Sequence, residues 1–445
     1  SYTKAEKEDR LDDLEMIREL LDKLGKNGYT AVDSENQMNM TEHEKLLQFC
    51  GAVEAKKRSR MTVVEVAGKG SCIVWKIETK NGDVKLIRSY YVYGDGKMVT
   101  YADEILDVFI QTIKEIKPNL VILTGDLSFN GEKGSHEALA KKLSVLKDDH
   151  IDVAVIPGNH DVDYIYAKGY GKEDYFDVDN VNAEEFRAIY KNLGYQYQKH
   201  DDSLSYRIEL NKHYSLLMMD STAHELTGSG LDIGGYFTDS TMKWLKDQLK
   251  DIQENNKIPI IAMHHNLVNH NELLGGRYTI KDSEKIAELF HSYKVPFVLS
   301  GHIHCQNIKE INGIYDIASS SILNAPLQYG VIELNNQKMN YHTESLKISR
   351  DANEYFDLVS STHFAEDFER VKDTKIRELM KAVIVKANRY YFTGNMKEHK
   401  DEIMNMEGYK YYFQKEVEKI SFYKDYLESL LSDEGNHQQL SIEFE

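Results

Sequence analysis

The residues best equipped for chemistry lie in four short stretches: Gly125-Asp126, Gly158-Asn159-His160-Asp161, His264-His265 and Gly301-His302-Ile303-His304. Each directly follows an apolar run, in turn LVILT, VAVIP, IIAM and FVLS. Carboxylate, amide oxygen and imidazole are donors suited to Mn, Fe or Zn, and no thiolate stands among them. A neutral imidazole binds a metal through one nitrogen, a carboxylate can bridge, and water held by such ions becomes nucleophilic near neutral pH. The glycines let the backbone turn sharply as each strand ends. In an open α/β sheet, ligands collect beyond the carboxyl ends of the strands, so four such ends can bring these donors to one place.

The elements that must position them follow from the pattern of apolar residues. The four runs, with LLMMDS ending at Ser221, are continuous and read as strands buried on both faces of a sheet covered by helices. Helical spacing links Ile105, Phe109, Ile113 and Ile116, then Leu139, Leu143 and Leu146, then Trp244, Leu245, Leu249 and Ile252, then Ile286, Leu289, Phe290 and Tyr293. The middle of the chain, 94–345, is therefore expected to be α/β. Residues 162–207, rich in Tyr, Asp and Gly, read as an insertion or long loop near the site. All five prolines fall between Pro118 and Pro326, and the two ends read differently. Residues 1–93 read as an α+β segment. It has a helix from Leu11 to Leu24 stopped by Gly25, a second helix capped by Thr41 and Glu44, and three strands with a hairpin turn at Asn81-Gly82. Residues 346–445 read as a helical domain, with long helical patterns from Phe368 to Tyr390 and from Tyr409 to Leu431.

Composition narrows the function classes. Over 445 residues, 41% are hydrophobic, which is enough for a large core and excludes wholesale disorder. No apolar run reaches the ~18 residues of a membrane helix. The opening SYTKAEKEDR has no apolar signal core, so the protein is expected to be soluble, either cytoplasmic or exported with its signal removed. Three cysteines, Cys50, Cys72 and Cys305, are too few and too scattered for a disulfide framework or a thiolate zinc site. A net charge of −18 argues against a whole-chain nucleic-acid binder. An acidic chain acting on phosphate anions needs local positive charge, and a metal ion supplies it.

Gly125-Asp126, GNHD at 158–161, His264-His265 and GHIH at 301–304, in that order, resemble the calcineurin-like metallophosphoesterase superfamily. The segment GYFTDSTMKWLKDQL is similar to the family as well, and the likeness covers roughly 94–345. The branch it most resembles is the bacterial one similar to class III cyclic-nucleotide phosphodiesterases, some of whose members carry a helical C-terminal domain. The resemblance implies an α/β/β/α sandwich and hydrolysis of a small phosphodiester or nucleotide by a metal-activated hydroxide between two divalent ions. It implies that Asp126 bridges the ions, that Asn159, His264 and His302 complete the second, and that His304 serves the first. His160, oriented by Asp161, would stand at the leaving group. Apart from the resemblance, a protein partner is expected to bind through the helical tail and the N-terminal unit if the chain is a scaffold.

The family's first motif, D-x-H, is absent upstream of Asp126. Asp148-Asp149-His150 comes too late in the chain and reads as a solvated helix end. Asp95, in GDGK, reads first as a turn residue and second as a surrogate ligand. Either another residue completes the first metal, or one metal binds, or the chain is an altered form of a competent parent. The rival reading is a catalytically weak scaffold that binds a nucleotide or protein. Asp220 is a candidate to support the ligands, and Cys305 a buried filler. Tyr164, Tyr166 and Tyr170 are expected to pack a loop before they bind a ring. Where the family commonly places Pro after the paired histidines, this chain has Asn266.

Overall fold

The computed structural model describes residues 13–444 apart from 34–39, 67–70, 95–96, 165–166, 171–174, 200–201, 223–233, 350 and 415–420. The chain divides into two compact units, one of residues 1–108, 170–175 and 348–350, the other of residues 109–169, 176–347 and 351–445.

In the first unit a helix, Leu14–Lys26, buries Met16, Ile17 and Leu21, and the Asp13 carboxylate caps it by accepting the N–H groups of Glu15 and Met16. Strands β1 (Thr30–Val32), β2 (Ser59–Val66), β3 (Ser71–Lys80), β4 (Asp83–Gly94) and β5 (Lys97–Thr100) form one sheet in that order. Asn81 and Gly82 join β3 to β4 with φ of 57° and 92°, the left-handed pair that a tight hairpin needs. Two local expectations are corrected. Gly25 lies inside the helix, and the chain reverses at Gly28, whose φ is +79°. Thr41 does not cap the second helix, His43–Glu54. Its hydroxyl accepts the Ala31 N–H and donates to the Tyr29 carbonyl, so bonding to the sheet edge displaces the local cap. The sheet continues to Thr100, past the composition change at residue 93. Asp95 lies outside the described residues.

The second unit is α/β, as the apolar runs imply. Strands β6 (Leu120–Leu123) and β7 (Asp152–Val155) pair in parallel. Next come β8 (Lys168–Tyr170) and β9 (Tyr175–Asp177), then β10 (Gln198–Lys199), β11 (Tyr206–Glu209), β12 (Tyr214–Met219), β13 (Ile258–Met263), β14 (Phe297–Ser300), β15 (Asn307–Ile311) and β16 (Ile314–Ala318). A seven-stranded sheet has the order β10-β11-β12-β13-β14-β16-β15, with β12, β13, β14 and β16 parallel. Their carboxyl ends therefore lie along one edge. Helices Asp239–Glu254 and Ser283–Ser292 pack on this sheet through Leu245, Leu249 and Phe290 against Leu217, Met219 and Ile261. Of the helix face at 105–116, Ile105, Phe109 and Ile113 are buried and Ile116 is exposed.

Residues 162–207 are not a bare loop. They contain a helix, Ala183–Ile189, with an Asn182–Glu185 capping box, and they bury Phe186, Tyr190 and Tyr206 completely. Their aromatic residues build core, which a count of turn-forming residues does not reveal. The tail is helical over Ala352–His363, Thr374–Thr393, Met396–Asn405 and Ser421–Leu431, around Met380, Val383, Tyr412 and Leu427. It also ends in a strand, β19 (Gln439–Glu443), which follows β17 (Gln328–Leu334) and β18 (Lys338–Ser345) in one antiparallel sheet. No helix among the described residues is long and apolar enough to cross a membrane.

Leu249 is wholly buried between helix and sheet. Its replacement by Ala is expected to cost about 2–5 kcal/mol, read as a lower urea midpoint.

Candidate metal centre

Each candidate donor sits in a turn that leaves a strand. Asp126 follows β6, Asn159 follows β7, His264 follows β13, and His302 and His304 follow β14. These turns are tight enough to demand unusual backbone. Asp126, His302 and His304 have φ of 53°, 60° and 56°, the left-handed region that side chains disfavour. Gly125, at φ +95°, has no room for a side chain: a Cβ there would lie 2.5 Å from the Gly158 nitrogen and 2.6 Å from His264 Nδ1. At Gly158 a Cβ would lie 2.2 Å from Asp126 Oδ1. The two glycines thus let two strand ends close against each other.

The side chains converge. His264 Nε2 lies 3.1 Å from Asn159 Oδ1, 3.1 Å from His302 Nδ1 and 3.4 Å from Asp126 Oδ1. Ligand atoms about 2.1 Å from one ion, at about 90–110° to one another, sit roughly 3.0–3.4 Å apart. The ring protons point the right way. His264 Nδ1 donates to the Thr124 carbonyl at 2.7 Å, and His302 Nε2 faces the Arg277 carbonyl at 3.4 Å. A neutral ring so held turns its lone pair into the cluster. Asp126, Asn159, His264 and His302 then present four electron-rich atoms to each other, an arrangement that a cation between them resolves. The residues present fit one divalent ion.

Burial sets the charge states. His264 and His302 are buried and Asp126 nearly so. Burial, then the neighbouring His264, push His302 down to about 3, so it is the neutral ligand form. Burial acts to raise the Asp126 carboxyl, but positive charge beside it, on His264 first and then on His304 and His160 when those rings carry protons, outweighs burial and holds the carboxyl well below the usual carboxylate range.

His304 stands on the other side of Asp126, its Nε2 3.3 Å from Asp126 Oδ2. It is about half exposed. Among the described residues no further His, Cys, Asp or Glu joins Asp126 and His304, so these residues offer a second ion two such donors. Asp149 pairs with Lys114 at 3.1 Å, the helix-end role expected of the 148–150 cluster.

His160 Nδ1 lies 3.0 Å from the Phe129 carbonyl, which turns Nε2 outward, and the ring stacks on Tyr164 with centroids 5.1 Å apart. The expectation that Asp161 orients His160 is corrected. The Asp161 carboxylate is fully buried and accepts the N–H groups of Leu127, Ser128 and Gly158 and the Ser128 hydroxyl. It ties the turn that carries Asp126 to the turn that carries Asn159 through backbone N–H groups from both, and the His136 ring stands 3.7 Å from its Oδ1. Asp220 accepts from Leu204 N–H and Thr222 and so joins β11 to β12. Cys305 is buried among the tail's apolar side chains. Tyr164 is buried, while Tyr166 lies outside the described residues. Three carbonyls that fix the rings, of Thr124, Phe129 and Arg277, were not foreseeable, since a backbone oxygen carries no residue signature. Asp316 was, as a lone carboxylate within the apolar strand GIYDIA.

Residues 98–306 match the calcineurin-like phosphoesterase family. They are a calcineurin-like phosphoesterase domain. Residues 335–437 match the C-terminal domain of cyclic nucleotide phosphodiesterase, and residues 1–107 match a family of unknown function, DUF6070. A probable cyclic nucleotide phosphodiesterase of Moraxella catarrhalis (strain BBH18) is 25% identical over 215 residues, which are 48% of this chain and 68% of that protein. Among solved structures, a dimetal phosphatase from Danio rerio shares 14% identity at a TM-score of 0.44, over 58% of this chain and 88% of that one. GAP50, the anchor in the inner membrane complex of Plasmodium, shares 15% identity at a TM-score of 0.35, over 57% and 86%.

The depressed His302 gives the metal-free domain a pH dependence. Between about 3 and the unfolded value near 6.5, the unfolded chain binds a proton that the folded chain refuses, so stability rises with pH across that window. Asp126 acts in the same direction below the unfolded carboxylate value. Metal-free protein is expected to lose about 2 kcal/mol between pH 7 and pH 5 in urea unfolding, and His302→Asn to flatten that slope.

Proposed function

We propose that the phosphoesterase domain hydrolyses small phosphodiesters with a divalent metal ion held by Asp126, Asn159, His264 and His302, and that cyclic nucleotides are the leading substrate class. The observation that carries this reading is the set of four donor atoms turned toward one point, with their outer nitrogens pinned by carbonyls. The domain match, the C-terminal match and the Moraxella relative's printed name support the phosphodiester class. Fold alone does not choose among substrates.

The ion would supply positive charge for the phosphoryl oxygens and lower the pKa of a water at the site. The remaining steps belong to the chain. Asp126, largely buried, keeps the negative charge that holds the cation. His160 presents Nε2 toward the open side, where it is placed to pass a proton to the departing oxygen. Tyr164 and the Phe129 carbonyl keep that ring from rotating. His304, more exposed, is placed to meet a phosphoryl oxygen or a second, weakly held ion. Mn, Fe and Zn all suit this donor set. Composition divides the chain at 93 and 345, into 1–93, 94–345 and 346–445, but the first sheet runs on to Thr100 and the compact unit that holds it to residue 108.

A second reading has its own support. Two donors hold a second ion poorly, which favours a scaffold with weak or no turnover. Elemental analysis separates the two: near two ions per chain favours an ordinary two-metal enzyme, one favours the single-ion form, and none in folded protein favours the scaffold.

Hydrolysis of bis(p-nitrophenyl) phosphate with added Mn²⁺ is expected to be metal-stimulated and to fall at least about 100-fold in Asp126→Asn and His302→Asn. Turnover that ignores metal, or that survives Asp126→Asn, refutes the proposal. Gly158→Ala, which forces a methyl group onto Asp126 Oδ1, is expected to weaken Mn²⁺ binding by about tenfold or more in calorimetry.

A further inference from the structure

A line of buried polar groups runs from the tail of the chain to the turns that carry His264 and His302. Asp316, on β16, is fully buried. Its carboxylate accepts the N–H groups of Leu267 at 2.6 Å and Val268 at 2.9 Å, and the Ser300 hydroxyl at 2.6 Å. One side chain therefore grips the turn just after His264-His265 and the residue just before Gly301-His302. Asn266 closes the same link, with Nδ2 donating to Ser300 Oγ at 2.8 Å and to the Gly301 carbonyl at 3.1 Å.

Behind Asp316 stands His270, also buried. Its Nε2 is 3.2 Å from Asp316 Oδ2, and its Nδ1 is 2.8 Å from Asn307 Oδ1. Asn307 Nδ2 donates to Asp433 Oδ2 at 3.1 Å. Asp433 lies just beyond the last helix, and its Oδ1 accepts from His437 Nε2 at 2.7 Å. His437 Nδ1 in turn accepts the Ile308 N–H at 2.9 Å. Tyr391, from the long tail helix, donates its hydroxyl to the His270 carbonyl at 3.1 Å.

Apolar contacts alone could dock the tail helices. Polar side chains buried in line cost desolvation unless they meet partners, and those partners hold the segments they join. His270 Nε2 meets Asp316 by a close approach without hydrogen-bond geometry, and Asn266 Oδ1 has no hydrogen bond among the described residues. Here the line joins the tail to both histidine turns. We propose that the C-terminal segment is a positioning element for the metal-ligand turns, acting through Asp433, Asn307, His270 and Asp316. The inference rests on the metal-site reading for one of its two readouts and stands apart from it in the other.

The test uses the full chain with Asp433→Leu, Asp316→Asn, their double variant, and Leu427→Ala, which loosens the tail's apolar core outside the line. The first readout is amide hydrogen exchange over 264–270 and 300–306, and the second is Mn²⁺ affinity by calorimetry. Asp433→Leu is expected to speed exchange in both turns about tenfold and to weaken Mn²⁺ about tenfold, while Leu427→Ala changes either by less than about twofold. The double variant is expected to be no worse than Asp316→Asn alone, since both cut one line. Asp433→Asn, which keeps an acceptor in place, is expected to recover part of the protection. If Asp433→Leu does not fold, Asn307→Ala cuts the same line and is read the same way. Unchanged exchange in the turns, or an equal change in Leu427→Ala, overturns the proposal. A wild-type chain that binds no Mn²⁺ overturns the metal reading instead, and the exchange readout still decides this one.

Discussion

Four electron-rich atoms aimed at one point repel one another, and the second unit is organised to hold them there. One oxygen each of Asp126 and Asn159 and one nitrogen of His302 lie 3.1–3.4 Å from His264 Nε2. In water such groups would move apart or take up protons. Here burial keeps His302 neutral, carbonyl oxygens occupy the outer nitrogens of His264 and His302, and positive charge beside Asp126 keeps its carboxyl ionised. Each of these forces makes a cation the natural occupant of the cluster.

The scaffold meets that demand with backbone strain and buried carboxylates. Three donor-bearing residues adopt left-handed backbone, each at an order of 1 kcal/mol or more. Two acids that bind no ligand do similar work on opposite sides of the cluster. Asp161 gathers backbone N–H groups from the Asp126 and Asn159 turns, and Asp316 gathers them from the turn after His264 while holding Ser300. A buried carboxylate needs several donors, and turns leave several unpaired N–H groups, so each satisfies the other. That reciprocity explains why Asp161, next in sequence to His160, faces away from it.

The other side of Asp126 is built differently. Among the described residues His304 alone meets its second oxygen, and that ring is half exposed. The missing D-x-H pair would have supplied what a second ion lacks. The chain places a five-stranded sheet ahead of residue 101 instead, in a segment that matches a family of unknown function.

Much of this was legible before any coordinates. Continuous apolar runs ending in Gly-Asp, Gly-Asn-His-Asp, His-His and Gly-His-x-His named the strands and the donors, because burial on two faces and sharp exits leave marks in the residues themselves. The strand-like runs between residues 61 and 93 and the Asn81-Gly82 turn named three strands of the first sheet for the same reason, while β1 and β5 were not read. Local rules misread Thr41 and Gly25, where a contact to a distant strand edge or a later turn outweighed the neighbouring residues. Three matters were decided by tertiary structure alone: which nitrogen of each histidine faces the cluster, which turn Asp161 and Asp316 bind, and how the tail reaches His270. All three depend on backbone carbonyls and amides, which every residue carries alike, so nothing in the order of side chains announces them.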